Sequence, residues 1–440
     1  MHFSKGREPM QSHSSLQLDD RHTKGPVPFL NPTQTRFKHF HKRHHHSEAG
    51  SDDGDSPDRK RETRDHEEPE QAASKVDYKW TSRNNRKGRH ALVISQTAAN
   101  SSNAHYATPP PSTSWSVISR TILKMFIYYP VWDVSWLVAY TFTWGSIVWV
   151  LNSFFVFLPL LAPSTEFSGE IADAGGWTAF VGATIFVFGS ILLMFEAVNS
   201  NKSGCFGWAV EQVYDDHFKR HGAQNALPSE QNGEAEKGAV LRIRPDSERC
   251  SHHHTNKHNI VGKPDVPDDE PTDSTGGRSW TWFPSKNELT THYMHELGFI
   301  ASFIQLWAAT IFWISGFTAI PGIYNRLSTG GVNGAYWVPQ VIGGFGFILS
   351  GFLFMLETQE IWYKPALRTL GWYIGLFNFI GGWGFFLCPC FGFNTASWSV
   401  YQASCSTFWG SWAFLIGSAL QLYESLNKHP VEVDKKENKE

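Results

Sequence analysis

Five cysteines in 440 residues, at 205, 250, 388, 390 and 405, are too few for a disulfide-held scaffold. The N-terminal stretch lacks the apolar core of a cleavable secretory signal. The apolar part of the chain contains no nucleophile–base pair, no metal-ligand box and no phosphate-cradling loop, which argues against an enzyme and against a bound cofactor. Charge is missing altogether from residues 134–161 and 370–423. The first run is long enough to span an ~30 Å hydrocarbon core. The second is too long for one crossing and has a polar break at Asn394–Thr407, so it is expected to cross twice.

What the chain has in excess is aromatic: 15 % of its residues, with 19 Trp and 33 Phe, which suits membrane helices with interfacial rings. Net charge is only −3 and mean hydropathy −0.31, because polar extensions dilute the apolar segments. With Val134–Leu161, spans are expected at about Trp177–Phe195, Leu297–Ile320 and Trp337–Leu356, giving six with the pair in 370–423. Residues 1–115 have too little apolar periodicity to offset ordering entropy and read as disordered, 199–281 read as a mostly disordered loop, and 427–440 as a polar, lysine-rich tail. One exception is Cys205–His221, where Phe206, Ala209, Val210, Val213 and His217 share a face and suggest an interfacial helix.

One pattern is written three times. Val181–Glu196, Ile342–Glu357 and Trp409–Glu424 each carry a Gly, a Phe four residues after it, a Gly/Ser pair, a Leu and a closing Glu. The preceding helices echo one another with two small residues before an aromatic: Gly145-Ser146-x-x-Trp149, Ala308-Ala309-x-x-Phe312 and Gly381-Gly382-x-x-Phe385. The expectation is an all-α polytopic membrane protein with six transmembrane helices as three hairpin pseudo-repeats, 116–198, 282–358 and 359–426, whose small residues permit close helix packing. Lys and Arg flank one set of helix ends, while the other three loops hold only Arg326. Both termini and the long loop are therefore expected in the cytosol, with the protein in the plasma membrane or an endomembrane.

The closing glutamates Glu196, Glu357 and Glu424 then sit at helix C-termini, where an acid opposes the helix dipole. Two readings stand. Each could pair with a nearby cation, Glu424 with Lys428, Glu357 with Lys364 or Arg368, and Glu196 with Lys202. Alternatively, the three close a bundle as a ring of acids that binds a cation or protons. Glu288, His292 and Glu296, at helical spacing on the same side, are candidates to join such a site or hold a divalent metal. Ser285-x-x-Glu288 reads as a capping box. Asn152, Gln305, Asn378 and Gln421 are polar residues within spans, where interhelical hydrogen bonds are the usual role.

Other candidates lie outside the spans. Lys79, Arg83, Arg86, Lys87 and Arg89 with Trp80 form a basic patch, read as a polar linker or a contact for anionic lipid or a nuclear-import factor. The tracts at His39–His46 and Cys250–His254 have metal-binding composition without a ligand geometry. Cys205 is a lipidation candidate and otherwise a free buried thiol. Among Cys388, Cys390 and Cys405, a bridge from Cys405 to either partner is preferred to a strained Cys388–Cys390 link.

Three two-span hairpins resemble the mitochondrial carriers in outline. However, Pro159, Pro321 and Pro389 are not followed by the acidic and basic residues of that family's box. The pattern Phe-x-x-Gly-Ser-x-x-x-x-x-Glu at Phe186–Glu196 is similar to that of the YrhK-like membrane-hairpin family, and the whole core resembles fungal multi-pass proteins of that kind. That resemblance implies membrane hairpins and no assigned activity. The sequence thus points to a non-enzymatic integral membrane protein, a scaffold whose cytosolic segments recruit protein partners. The alternative is a small-solute or ion transporter using the glutamate cluster. The lipid bilayer is the expected partner, and no nucleic acid is expected.

Overall fold

The computed structural model describes residues 16–39, 76–95, 106–107, 110–207, 209–210, 241–242 and 280–434. The protein is mostly helical, and five of its helical segments are long and apolar enough to cross a membrane: Val134–Leu161, Glu170–Val198, Leu297–Thr318, Thr329–Glu357 and Leu370–Gly392. The helix Ser397–Leu426 is the longest of all, but its serines, threonine and glutamines leave it short of that apolarity.

Six long helices carry the architecture: α3 (Val134–Leu161), α4 (Gly175–Val198), α6 (Leu297–Thr318), α7 (Val338–Glu357), α8 (Leu370–Gly392) and α9 (Ser397–Leu426). Each packs on the next and α9 returns to α3, so the six close into a ring around one axis. Asp133 starts α3 by accepting from the Ser135 amide at 2.9 Å. Single π-turns, Glu170–Ala174 and Val332–Trp337, lead into α4 and α7. The expected polar break at 394–407 is mostly helix, because α9 already begins at Ser397.

Backbones meet closely where glycines line up. A Cβ on Gly382 of α8 would lie 2.6 Å from the Ile348 amide of α7, and one on Gly384 would lie 2.6 Å from the Gly410 Cα of α9. Polar side chains then tie neighbours together. Asn152 donates to the Gly175 carbonyl at 2.7 Å, Trp313 to Thr184 at 2.9 Å, and Gln340 to Ser315 at 2.7 Å.

The expectation of an all-α chain with disordered extensions is corrected by a five-stranded sheet. Its strands β1 (Leu16–Lys24), β2 (Gln34–His39), β3 (Val76–Thr81) and β4 (Ala91–Ser95) run antiparallel in order. The last strand, β5 (Val431–Asp434), follows α9 and pairs parallel with β4. Phe37, Tyr78, Leu92, Ile94 and Val431 are buried and give the sheet an apolar core of its own. A short helix α1 (Ser82–Arg86) leaves β3, capped by Thr81, whose hydroxyl accepts from the Asn84 amide at 3.1 Å. It ends at Gly88, whose φ of +59° turns the chain back toward β4.

Helix α2 (Trp115–Ile127) precedes the ring and packs on α9, with Trp115, Leu123, Phe126 and Ile127 exposed. The capping box of α5 (Lys286–Thr291) forms as expected, Ser285 and Glu288 bonding reciprocally. The histidine tract from Phe40 to His46, the tract Cys250–His254 and most of Cys205–His221 lie outside the described residues.

Candidate functional site

The axis of the helix ring is filled in layers, each supplied by matching positions of three helices. The first layer is Trp149, Phe312 and Phe385 from α3, α6 and α8, with ring centroids 5.7, 4.9 and 5.6 Å apart. Phe186, Phe347 and Phe414 from α4, α7 and α9 make the second, at 6.3, 5.6 and 5.9 Å. All six rings are buried in one cluster that closes the middle of the axis.

The three glutamates lie ten residues beyond the second layer, about 15 Å along each helix. Glu196, Glu357 and Glu424 are 0, 2 and 1 % exposed. Their charges are met by α1 and the turn after it, which insert into this end of the ring. Arg86 donates twice to Glu357, at 2.9 and 3.0 Å, and once to Glu196 at 3.1 Å. Its guanidinium lies 5.2 Å over the Phe354 ring. Arg83 grips both oxygens of Glu424 at 3.1 and 2.7 Å, and Arg89 adds a third bond at 3.0 Å. Ser82 donates to Glu357 at 3.1 Å. Lys87 Nζ lies 3.6 Å from Glu196, an ion pair outside hydrogen-bonding distance.

The ring makes room for this insertion with small residues at the first turn of its odd-numbered members by chain order. A Cβ on Gly298 of α6 would collide with Arg86 Nη1 and Glu357 Oε1, and one on Gly371 of α8 would lie 2.6 Å from Arg83 Nε. Ser135 of α3, fully buried, holds the matching position, ten residues before the small pair as Gly298 and Gly371 are. Lys428 fastens the arrangement from outside, donating to the Lys87 carbonyl at 2.8 Å and pairing with Asp133 at 2.5 Å.

Burial would lower the pKa of each basic group, and its carboxylate neighbours oppose that. For Arg83 the nearby Glu424 outweighs burial and the pKa is raised. For Arg89 burial wins and it is lowered. Lys87, buried and set beside Glu196 without a hydrogen bond, is pushed down to about 8, with Arg83 adding to the effect.

Between the phenyl layer and the ion cluster lies a cavity of about 40 Å³ lined by Arg83, Arg86 and Lys87 on one side and the helices on the other. Two layers of matching positions face it: Phe142, Gln305 and Asn378, then Leu193, Phe354 and Gln421. The three amides belong to α6, α8 and α9, while α3, α4 and α7 contribute Phe142, Leu193 and Phe354 at the matching positions.

The outcome for the sequence candidates is mixed. The acids converge as a ring-closing set, but their partners are neither Lys202, Lys364, Arg368 nor Lys428; they are Arg83, Arg86, Lys87 and Arg89 of the basic patch, which is no linker. Glu288, His292 and Glu296 do not share a helix face. The chain leaves α5 at Thr291, passes through a 3₁₀ turn at Tyr293–His295 and starts α6 at Leu297. Glu288 is used in its capping box, and His292 Nε2 lies 3.0 Å from Glu296. No group of three metal-ligating side chains occurs among the described residues.

Cys388, Cys390 and Cys405 are all free thiols. The loop expected to bring them together is the end of α8 and the first turns of α9, which hold them on helices. Cys205 is buried in a short 3₁₀ turn rather than presented for acylation. Of the intramembrane amides, Asn152 bridges helices as expected, whereas Asn378 bonds within its own helix to Ile374 at 2.9 Å. Sequence reasoning missed the sheet and the identity of the cations. The spacing Arg83-x-x-Arg86-Lys87-x-Arg89 after a Thr81 cap was the signal for a basic helix end. In the three comparisons with known proteins, no family model, no curated protein and no solved structure matches this chain.

Proposed function

We propose that the chain is a six-span integral membrane protein of three helical hairpins with both termini in the cytosol. In this reading it is a non-enzymatic scaffold in which the acid-ringed end of the bundle is a socket for a cytosolic sheet. The observation that carries this reading is the buried contact of Arg83 and Arg86 with Glu196, Glu357 and Glu424, which fastens the sheet to the helix ring. The matching aromatic and acidic layers support three hairpins, and the closed ring supports counting Ser397–Leu426 as the sixth span. The docked sheet is the surface offered to cytosolic protein partners. The motif at Phe186–Glu196 keeps the YrhK-like hairpin proteins as the proposed relatives.

A second reading, transport of a small solute or ion through the glutamate ring, is favoured by the cavity on the axis. It requires α1 to withdraw first, since the carboxylates are already paired. The test is the full chain with Glu196→Gln, Glu357→Gln and Glu424→Gln combined, reconstituted in vesicles at matched abundance. Four cations, three of them buried, then lose their counter-charges, and residues 76–95 should become protease-sensitive while the vesicles stay tight. A wild-type solute or ion flux abolished by any one of the single substitutions would overturn the scaffold reading in favour of transport.

A further inference from the structure

The ion cluster is not balanced. Four cations, Arg83, Arg86, Lys87 and Arg89, face three carboxylates, an excess of one positive charge; Arg83, Arg86 and Lys87 are buried, and Arg89, 9 % exposed, stands at the rim. The neighbouring Lys428–Asp133 pair is neutral by itself and does not change this. An uncompensated buried charge is costly unless a partner or a proton loss relieves it.

Of the four cations, Lys87 is the one whose side chain is without a hydrogen bond among the described residues. Lys87 is 1 % exposed, its ammonium has three donors, and Nζ makes no hydrogen bond among the described residues. It lines the cavity. Gln305 and Gln421, 9 and 8 % exposed, line the same space, and their amides likewise make no hydrogen bond among the described residues. Ser146 and Ser418 face the same space, joined to one another at 3.4 Å. Lys87 Nζ and the two amides bring donors to this space, and Glu196, 3.6 Å from Nζ, has a second oxygen, Oε2, that makes no hydrogen bond among the described residues. A cavity of about 40 Å³ holds roughly three water-sized bodies, too little for a metabolite and enough for a small ion with part of its shell.

We propose that this cavity is a binding site for one monatomic anion of the halide class, held by the Lys87 ammonium and the Gln305 and Gln421 amides. The bound charge brings the cluster to neutrality and lets the basic segment stay seated. Burial is what lowers the Lys87 pKa, and loss of its proton is the other route to neutrality. The site rests on the cluster's geometry and not on the scaffold reading, so either can fail alone: a docked sheet without anion dependence would leave that reading standing.

The experiment is thermal unfolding of the purified full chain in chloride and in gluconate at equal ionic strength and pH 7. A ligand that binds only the folded state raises its midpoint, and chloride should do so by about 2–4 °C. Lys87→Met should remove the difference between the two salts. If Lys87→Met does not fold, Gln421→Leu, which leaves every ion pair in place, decides instead by shrinking the difference. Equal midpoints in the two salts for the wild-type chain would overturn the proposal. So would a chloride shift that survives in the deciding variant, because it would then be a general surface effect.

Discussion

The same ring of helices closes its axis in two different ways. Halfway along, six aromatic rings meet, one from each helix, and every partner comes from within the ring. At one end, three acids meet and none finds a counter-charge in the ring. Arg83 and Arg86, which hold them, arrive on a segment 110 to 341 residues away in sequence. An aromatic layer is satisfied by shape alone, and repeating a hairpin repeats the solution. A ring of acids repeated the same way is a problem until something of opposite charge is brought to it. The contrast teaches that symmetry supplies packing without help, whereas buried charge makes the bundle depend on the rest of the chain.

The largest effect should come from breaking the charged layer on one side only. Arg86→Ala leaves Glu196 and Glu357 buried with their main donor gone, and should cost about 3–5 kcal/mol in equilibrium unfolding. Adding Glu357→Gln to that variant should recover part of the loss, because one stranded charge is then removed. Two costs that simply add would mean that the pair does not act as a unit.

Phe347→Ala strikes the aromatic layer and should cost about 3 kcal/mol, at the low end for a buried phenyl, because lipid offers no aqueous reference for the exposed ring. No second substitution in the layer should restore it. Combined with Arg86→Ala, the two losses should add to within about 0.5 kcal/mol, since the layers are roughly 15 Å apart. Coupling well beyond that would show that the layers are one unit and the contrast drawn above is false.

The aromatic half of this comparison is written in the sequence, and the charged half is only half written. The first long helix has the predicted bounds, Val134–Leu161, because an uncharged run flanked by Asp133 leaves little choice. The repeated Phe and Glu positions are legible as a pattern, since each lies on a helix whose period is known. The sheet was hidden because β1 and β2 alternate with charged residues and depend on pairing with strands far along the chain, one of them after the last helix. The counter-ions were hidden for a related reason. Local rules such as the i,i+4 pair point to Lys428 for Glu424, yet Lys428 is used on Asp133 and on the Lys87 carbonyl. Gly298 and Gly371 were readable as small residues, but not as the space left for two arginines.

The smallest expected effect sharpens the comparison by supplying its control. Lys79 and Glu432 also join the N-terminal segment to the C-terminal tail, at 2.7 Å, and so resemble the buried pairs in distance and in sequence separation. They differ in setting: the two side chains are 27 and 51 % exposed. Water already solvates both, so neither is stranded when the other is removed, and salt screens what attraction is left. Lys79→Ala should therefore cost about 0–1 kcal/mol, and the loss should fade as ionic strength rises. The Arg86→Ala penalty, set in a site sealed from solvent, should hardly change over the same range of salt. Unfolding titrations of both variants at low and high salt give the comparison directly. If both penalties fell together with salt, the acid-ringed end would be reached by water, and its dependence on the basic segment would be that of an ordinary surface contact.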